Sequence, residues 1–189
     1  VAPSDTYGMG DVETDNLRIM VADGVRRITT ASLPDHAIDD SYRYAGTPSA
    51  QSLSFEVTTT PTVATSPTMV RTGQVVGVHL NSVVFDPTTA GYYGGRGSGW
   101  NENALSVDAY GAHTRPDGFY HYHSVTARWT NAPSTHGPLV GWAADGFPIY
   151  LRTGYSVADD PSSPVVALQP SYRLRSGTRP DGPGGASDG

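Results

Sequence analysis

The run Asp117-Gly118-Phe119-Tyr120-His121-Tyr122-His123 alternates aromatic and imidazole side chains directly after a turn signal. Asp-Gly favours a tight turn, and the alternation has the period of a β-strand. In an extended strand, His121 and His123 lie on one face and the two tyrosines lie on the other. Two imidazoles on one face can bind a single metal ion at about 2.0 to 2.1 Å. The alternative is a half-buried strand whose tyrosines pack inward and whose histidines face water, but a His-x-His pair beside other histidines favours metal binding.

The composition around this run favours an all-β protein. The chain has 189 residues, including 22 Gly and 15 Pro, and 37% of its residues are hydrophobic. Many turns therefore separate short elements, and the length suits one domain. We predict an all-β or β-rich fold, a single-domain antiparallel sandwich or jelly-roll-like protein with long Gly/Pro loops. At most one short helix is expected, over residues 100–107. The predicted divisions are an arm at residues 1–16, a β domain at residues 17–180 and a flexible tail at residues 181–189.

Apolar spacing predicts the strands. Residues 17–28 form a hairpin signal around Asp23-Gly24, and residues 52–60 alternate as one strand. Residues 75–85 are nearly continuous β-branched sequence and predict a pair of core strands. Further strands are expected at 125–129, 139–144, 165–168 and 172–175, and residues 91–99 are expected to be a glycine-rich loop. The predicted core consists of Val76, Val78, Leu80, Val84, Phe85, Leu139, Val140 and Trp142.

The charge and the missing residue types exclude several functions. The net charge is −6 and the 12 basic residues, all Arg, are scattered, so nucleic acid is not an expected partner. Because Lys and Cys are absent, Schiff-base chemistry, thiolate catalysis, disulfides and cysteine metal sites are excluded. No run of 18 apolar residues is present, so membrane insertion is not expected.

Other residues are candidates to complete a metal site with His121 and His123. His113 precedes His121 by eight residues, across a loop that allows a hairpin-like return. His136 begins the next β segment, and Asp145 ends it. Three histidines with an optional carboxylate favour Zn or Cu, and oxygen-rich surroundings would favour Ca or Mn. The alternative for His113 and His136 is a hydrogen bond to backbone in a loop, and Asp145-Gly146 is also typical of a turn.

Several longer segments identify a family resemblance. They include Leu80 to Pro87, Ser98 to Asn101 with Ala104-Leu105, Ala112-His113, Tyr120 to His123, His136 to Tyr150 and Ser171 to Pro180. In this order they resemble the YHYH domain family of secreted, mostly bacterial proteins. Leu33-Pro34-Asp35-His36 is similar to another family segment, and it is the sole support for His36 as a site residue. Only the strand position of His79 supports that residue.

The resemblance implies a secreted, extracellular or cell-surface setting, without a mechanism. Two departures stand out. Position 82 is Ser where the family usually has Gly, and the chain ends at Gly189 where the family pattern continues. A β domain without its last strands would expose an unpaired edge, and residues 1–16 or the strand after Leu17 could pair with that edge in another copy. Self-association, with an extracellular filament as its specific form, is therefore expected.

Three functions from different classes follow. The first is an extracellular protein with a histidine-rich divalent metal site, with Zn or Cu favoured and Ca as an alternative, whether or not it is an enzyme. The second is a structural subunit of a filament assembled through β-strand exchange. The third is a carbohydrate-binding module, since 11 tyrosines and 3 tryptophans could form a surface for a polysaccharide.

Overall fold

The computed structural model describes residues 11–39, 44–68, 70–71, 73–87, 92–93, 96–97, 107–124, 129, 134–158 and 160–169. These residues form strands and no helix, which confirms the all-β prediction. Four predicted features lie outside them: the helix at 100–107 apart from Val107, the strand at 125–129 apart from Trp129, the strand at 172–175 and the tail at 181–189. Residues 1–10 of the predicted arm also lie outside.

The first sheet is a four-stranded antiparallel meander. It contains β1 (Val12–Glu13), β2 (Leu17–Ala22), β3 (Val25–Thr30) and β4 (Leu53–Thr58), in that order. β2 and β3 form the predicted hairpin, with φ of 53° at Asp23 and 75° at Gly24. Two consecutive positive φ values are what a two-residue type I′ turn requires, and Asp-Gly adopts them readily. Burial alternates along β3, so one face of this sheet is covered.

The second sheet has six strands and holds the histidine motif. Its strands are β5 (Gly77–His79), β6 (Val84–Phe85), β9 (Ala112–Thr114), β10 (Tyr120–Tyr122), β11 (Leu139–Ala143) and β12 (Pro148–Tyr150), in the spatial order β12-β11-β5-β6-β10-β9. All neighbours are antiparallel except β6 and β10, which are parallel. This pair departs from the antiparallel prediction because the long segment between β6 and β10 lets the chain re-enter the sheet in the same direction.

Two small sheets complete the described fold. β7 (Tyr92–Tyr93) pairs with β8 (Arg96–Gly97), so the predicted glycine-rich loop at 91–99 contains a short antiparallel ladder. β13 (Thr153–Tyr155) pairs with β14 (Val165–Ala167), which confirms the strand predicted near residue 165.

The two larger sheets pack face to face around a shared hydrophobic core. Its buried members come from both sheets: Leu17, Ile19, Ile28, Val57, Val78, Val84, Phe119 and Trp142. A second cluster of Val83, Ala112, Tyr120 and Tyr122 lies on the opposite face of the six-stranded sheet. Of the predicted core, Val78, Val84, Val140 and Trp142 are buried, and Val76, Leu80, Phe85 and Leu139 are partly buried.

Candidate metal centre

A tight hairpin brings His113 beside the motif. Arg115 and Phe119 are joined by a backbone hydrogen bond of 3.1 Å, and Gly118 N donates to Arg115 O at 2.9 Å. Gly118 has a φ of 85°, so the Asp117-Gly118 turn forms where the sequence predicts it. The register that follows places His113 directly opposite His121. Opposed residues on neighbouring strands project to the same side of a sheet, so the two imidazoles meet.

Three imidazoles converge on this face. His123 Nε2 lies 3.0 Å from His121 Nε2 and 3.1 Å from His113 Nε2. The possible ligand atoms of His113, His121 and His123 all lie within 4.8 Å of one another. Two nitrogens bound tetrahedrally at 2.0 to 2.1 Å from one ion are about 3.3 Å apart. The two separations measured from His123 are therefore already close to the spacing that a metal ion imposes.

Backbone contacts orient His121 for this role. Its Nδ1 lies 3.0 Å from the carbonyl oxygen of Phe119. A carbonyl oxygen only accepts, so Nδ1 carries the hydrogen and Nε2 of the neutral ring presents a lone pair. A metal-bound histidine commonly donates its second ring N–H in this way, which fixes both the tautomer and the ring orientation.

Burial also keeps the ligands neutral. It is the main reason that the pKa of His121 falls to about 4, with the Phe119 carbonyl opposing this shift and the neighbouring His113 and His123 adding to it. Burial lowers the pKa of His123 to about 4 as well, with the adjacent His113 acting in the same direction. Two of the three rings are therefore uncharged near pH 7, as metal binding requires.

A carboxylate and a guanidinium lie near the three imidazoles. Asp86 N donates to Tyr122 O at 2.9 Å, which extends the β6–β10 ladder and places Asp86 alongside His123. Arg115 lies two residues after His113, and its Nη2 is 2.9 Å from Asp86 Oδ2. The Asp86 side chain is 1% exposed and the Arg115 side chain is 37% exposed.

The tyrosine face of β10 is anchored by a buried carboxylate. Asp108 accepts hydrogen bonds from Tyr120 Oη at 2.6 Å and from Tyr44 Oη at 2.7 Å. Its other oxygen accepts from the backbone of Tyr110 and Ala112. Burial, with these bonds, raises the pKa of Tyr120, so the hydroxyl stays protonated. Tyr120 and Tyr122 are fully buried and do not form an exposed sugar-binding surface.

Tyr122 joins two further histidines to this face. His36 Nδ1 is 2.9 Å from the Ala37 carbonyl, so its Nε2 accepts from Tyr122 Oη at 2.9 Å. Asn81 Nδ2 donates to the same hydroxyl at 2.8 Å. His79 lies 2.6 Å from Asn81 Oδ1 and stacks on Trp129 at 4.4 Å. His36 and His79 therefore lie on the opposite face of β10 from His113, His121 and His123, which are called the imidazole group below.

The two remaining candidates are placed elsewhere. His136 Nδ1 lies 2.9 Å from Gly137 O, and its ring lies 4.8 Å from the rings of Tyr150 and Tyr155. Asp145 is exposed and accepts from Phe147 N at 3.4 Å in a turn. Neither residue belongs to the imidazole group that the described residues form.

Sequence reasoning did not identify Asp86, Arg115 and Asp108 as part of the motif's surroundings. The signal for Asp86 is its position directly after a buried β-branched run, and the signal for Arg115 is its i+2 spacing from His113. Both signals depend on knowing which strands are neighbours. Alternation along a single strand does not provide that information.

Comparison with known proteins identifies one family. Residues 54–189 match the family described as YHYH protein. Searches of curated proteins and of solved structures gave no match. Among the described residues, no helix is long and apolar enough to cross a membrane.

Proposed function

The chain belongs to the YHYH family, and we propose that it binds one divalent transition-metal ion between His113, His121 and His123. The observation that carries this proposal is the convergence of three Nε2 atoms, with separations of 3.0 and 3.1 Å measured from His123. His121 is buried and His113 and His123 are partly buried. The close approach of the rings disfavours protonation of His121 and His123, which leaves ring lone pairs available to a metal ion.

The ligand set favours Zn or Cu. Imidazole nitrogen suits both metals, whereas Ca binds through oxygen ligands. The Phe119 carbonyl supports this assignment because it holds His121 in the tautomer that presents Nε2 to the ion.

Three protein ligands leave one position of a tetrahedral ion open. Catalytic zinc sites keep such a position for water or substrate, whereas structural sites fill it with a fourth side chain. An ion held here would act as a Lewis acid toward a bound oxygen. The neighbouring protein groups would be the buried Asp86 and the partly exposed Arg115. We place this activity outside the cell, in line with the secreted setting that the family resemblance implies.

Metal content and affinity test the proposal. Purified protein is stripped with a chelator, reloaded with Zn(II) or Cu(II), and measured by elemental analysis and competition titration. We expect one ion per chain. The single variants His113→Ala, His121→Ala and His123→Ala should each weaken binding by more than the 10- to 100-fold that removal of an outer-shell partner typically costs.

Two other histidines provide matched controls. His136→Ala and His36→Ala remove imidazoles that lie outside the group, so the affinity should stay within about threefold of the unmodified protein, a change of under 1 kcal/mol. Circular dichroism confirms that each variant is folded. The proposal is wrong if the folded, unmodified protein takes up neither metal in stoichiometric amount, or if the controls lose as much affinity as the three ligand variants.

A further inference from the structure

We propose that the metal centre binds a small oxyanion, a carboxylate or a phosphate, between the ion and the Arg115 guanidinium. This inference rests on the proposed metal site and names the class of ligand that it takes. It is carried by the placement of one cation and one anion on the histidine face of the six-stranded sheet.

Strand register puts these groups on one face. His113 lies opposite His121, and the backbone bond between Arg115 and Phe119 continues the same ladder. Because side chains two residues apart project to the same side, Arg115 shares the face of His113, and Phe119 shares the face of His121. On the other side of β10, Asp86 occupies the position next to His123.

The Arg115 side chain extends across this face instead of turning away from it. Its guanidinium carbon lies 4.6 Å from the Phe119 ring centroid, and that ring lies 5.5 Å from the His121 ring. Its Nη2 reaches Asp86 on the far side of β10, at 2.9 Å. The guanidinium therefore lies on the histidine face of the sheet, between the Phe119 ring and Asp86.

The charge balance favours an anionic ligand. A divalent ion with three neutral imidazoles carries two positive charges, and of the two charged side chains described above, Arg115 adds one positive charge and Asp86 one negative charge. With the fourth position open, a negatively charged oxygen there would be attracted by both the ion and the guanidinium.

Arg115 has donors to offer such a ligand. A guanidinium carries five N–H donors in a fork that matches carboxylate and phosphate oxygens. The side-chain hydrogen bonds that Arg115 makes within the described part of the chain both use Nη2, to Asp86 and to the Gly73 carbonyl. Its Nε and Nη1 remain for an incoming oxyanion, and its side chain is 37% exposed to solvent.

Titration of metal-loaded protein tests the inference. Oxalate and inorganic phosphate are added separately to Cu(II)-loaded protein, and binding is followed by calorimetry and by the Cu(II) electron paramagnetic resonance spectrum. Acetamide is the uncharged comparison. We expect at least one oxyanion to bind in a 1:1 ratio with a change in the copper spectrum, and acetamide not to bind.

The Arg115→Gln substitution should weaken oxyanion binding by about 10- to 100-fold, which is what a hydrogen bond to a charged group usually contributes to affinity. The Cu(II) affinity of this variant is measured separately, so that oxyanion binding is compared between proteins that are fully loaded with metal. Arg115→Lys keeps the charge near Asp86 but loses the fork, so it should fold and still bind the oxyanion more weakly. Arg27→Gln is the matched control, since Arg27 forms an exposed ion pair with Glu56 on the other large sheet.

The outcomes separate the two proposals. If the unmodified protein takes up no metal, the proposed function is wrong. If it takes up the metal but binds acetamide as well as the oxyanions, or binds neither oxyanion, only this inference is overturned. The same conclusion follows if folded Arg115→Gln and Arg115→Lys bind the oxyanion as tightly as the Arg27→Gln control.

Discussion

At the scale of single residues, Ser82 shows how one side chain can offset backbone strain. It has a φ of 87°, in the left-handed region that favours Gly, and it is 1% exposed. Its Oγ lies 2.8 Å from Thr30 Oγ1, so the hydroxyl joins the loop after β5 to the end of β3. A glycine would remove the strain but would also lose this hydrogen bond.

Two substitutions separate these effects. Ser82→Ala keeps the strain and loses the hydroxyl, whereas Ser82→Gly loses both. We expect Ser82→Ala to be less stable than Ser82→Gly by about 1 kcal/mol, the usual difference in left-handed backbone. Urea denaturation of both variants measures it. Equal stabilities of the two variants would show that the positive φ at position 82 does not destabilise the folded protein.

Histidine burial predicts a pH dependence of stability in the metal-free protein. Burial lowers the pKa of His79 to about 4, from 6.5. Between these values the unfolded chain binds the proton and the folded chain does not, so stability falls as pH drops from about 6.5 to 4. This one residue should account for about 1 to 2 kcal/mol of the loss between pH 7 and pH 5.

The comparison uses protein stripped of metal with a chelator, unfolded in urea at pH 7 and at pH 5. The unmodified chain should lose more stability between the two pH values than His79→Gln does. An equal loss in both proteins would contradict the prediction.

At the scale of elements, the hairpin of β9 and β10 builds the candidate centre, and its turn depends on Gly118. A Cβ at this position would clash with Ser49 Oγ and lie 2.6 Å from the Thr47 carbonyl oxygen, at a φ of 85°. The turn therefore packs too tightly for any side chain. Movement of the turn would shift His113 relative to His121, since the hairpin sets their register.

Gly118→Ala should destabilise the protein and weaken metal binding together. Gly24→Ala is its control, because Gly24 has a similar φ of 75° but the nearest atom to a new Cβ, Thr59 Oγ1, is 4.0 Å away. We expect the control to cost about 1 kcal/mol from backbone strain alone, and Gly118→Ala to cost about 1 to 3 kcal/mol more. Denaturation and metal titration check both effects. Metal affinity that is equal in the two variants would show that this turn does not position His113.

At the scale of the whole molecule, the two large sheets depend on each other. The family match begins at residue 54, inside β4, yet β2 and β3 supply Leu17, Ile19 and Ile28 to the shared core. The strands that precede the matched region therefore cover the face of the sheet that carries the histidines. The boundaries at residues 17 and 180 remain predictions.

Leu17→Ala tests this dependence. Leu17 is 2% exposed and Met20, on the same strand, is 40% exposed. We expect Leu17→Ala to cost about 2 to 5 kcal/mol and Met20→Ala to change stability by about 0.5 kcal/mol or less. Tryptophan fluorescence, to which Trp142 of β11 contributes, and far-ultraviolet circular dichroism should report the same unfolding midpoint. A Leu17→Ala protein with an unchanged midpoint would show that the sheets are stabilised separately.

Self-association also belongs to this scale and remains a prediction. β12 begins with Pro148, which has no N–H, and Asp108 bonds the backbone of Ala112 on β9. Both features limit strand addition at the edges of the six-stranded sheet. Light scattering of the intact chain and of a variant lacking residues 1–16 would measure assembly, and a compact monomer in both samples would contradict it.

The sequence by itself determined the local features. Alternation predicted that the motif's histidines and tyrosines occupy opposite faces, and Asp-Gly pairs marked the turns at Gly24 and Gly118. These patterns are readable because a strand has a period of two and because few residues tolerate positive φ. The approach of His113 to His121 was also expected, since a short loop joins them.

Only the tertiary structure decided which strands are neighbours. The parallel pairing of β6 with β10 brings Asp86 beside His123, and the packing of the two sheets makes the histidine face an inner one. It also leaves His136 and Asp145 outside the imidazole group. Such contacts depend on pairings between distant segments, which are set by how the whole chain buries its apolar surface and not by the period of any one strand.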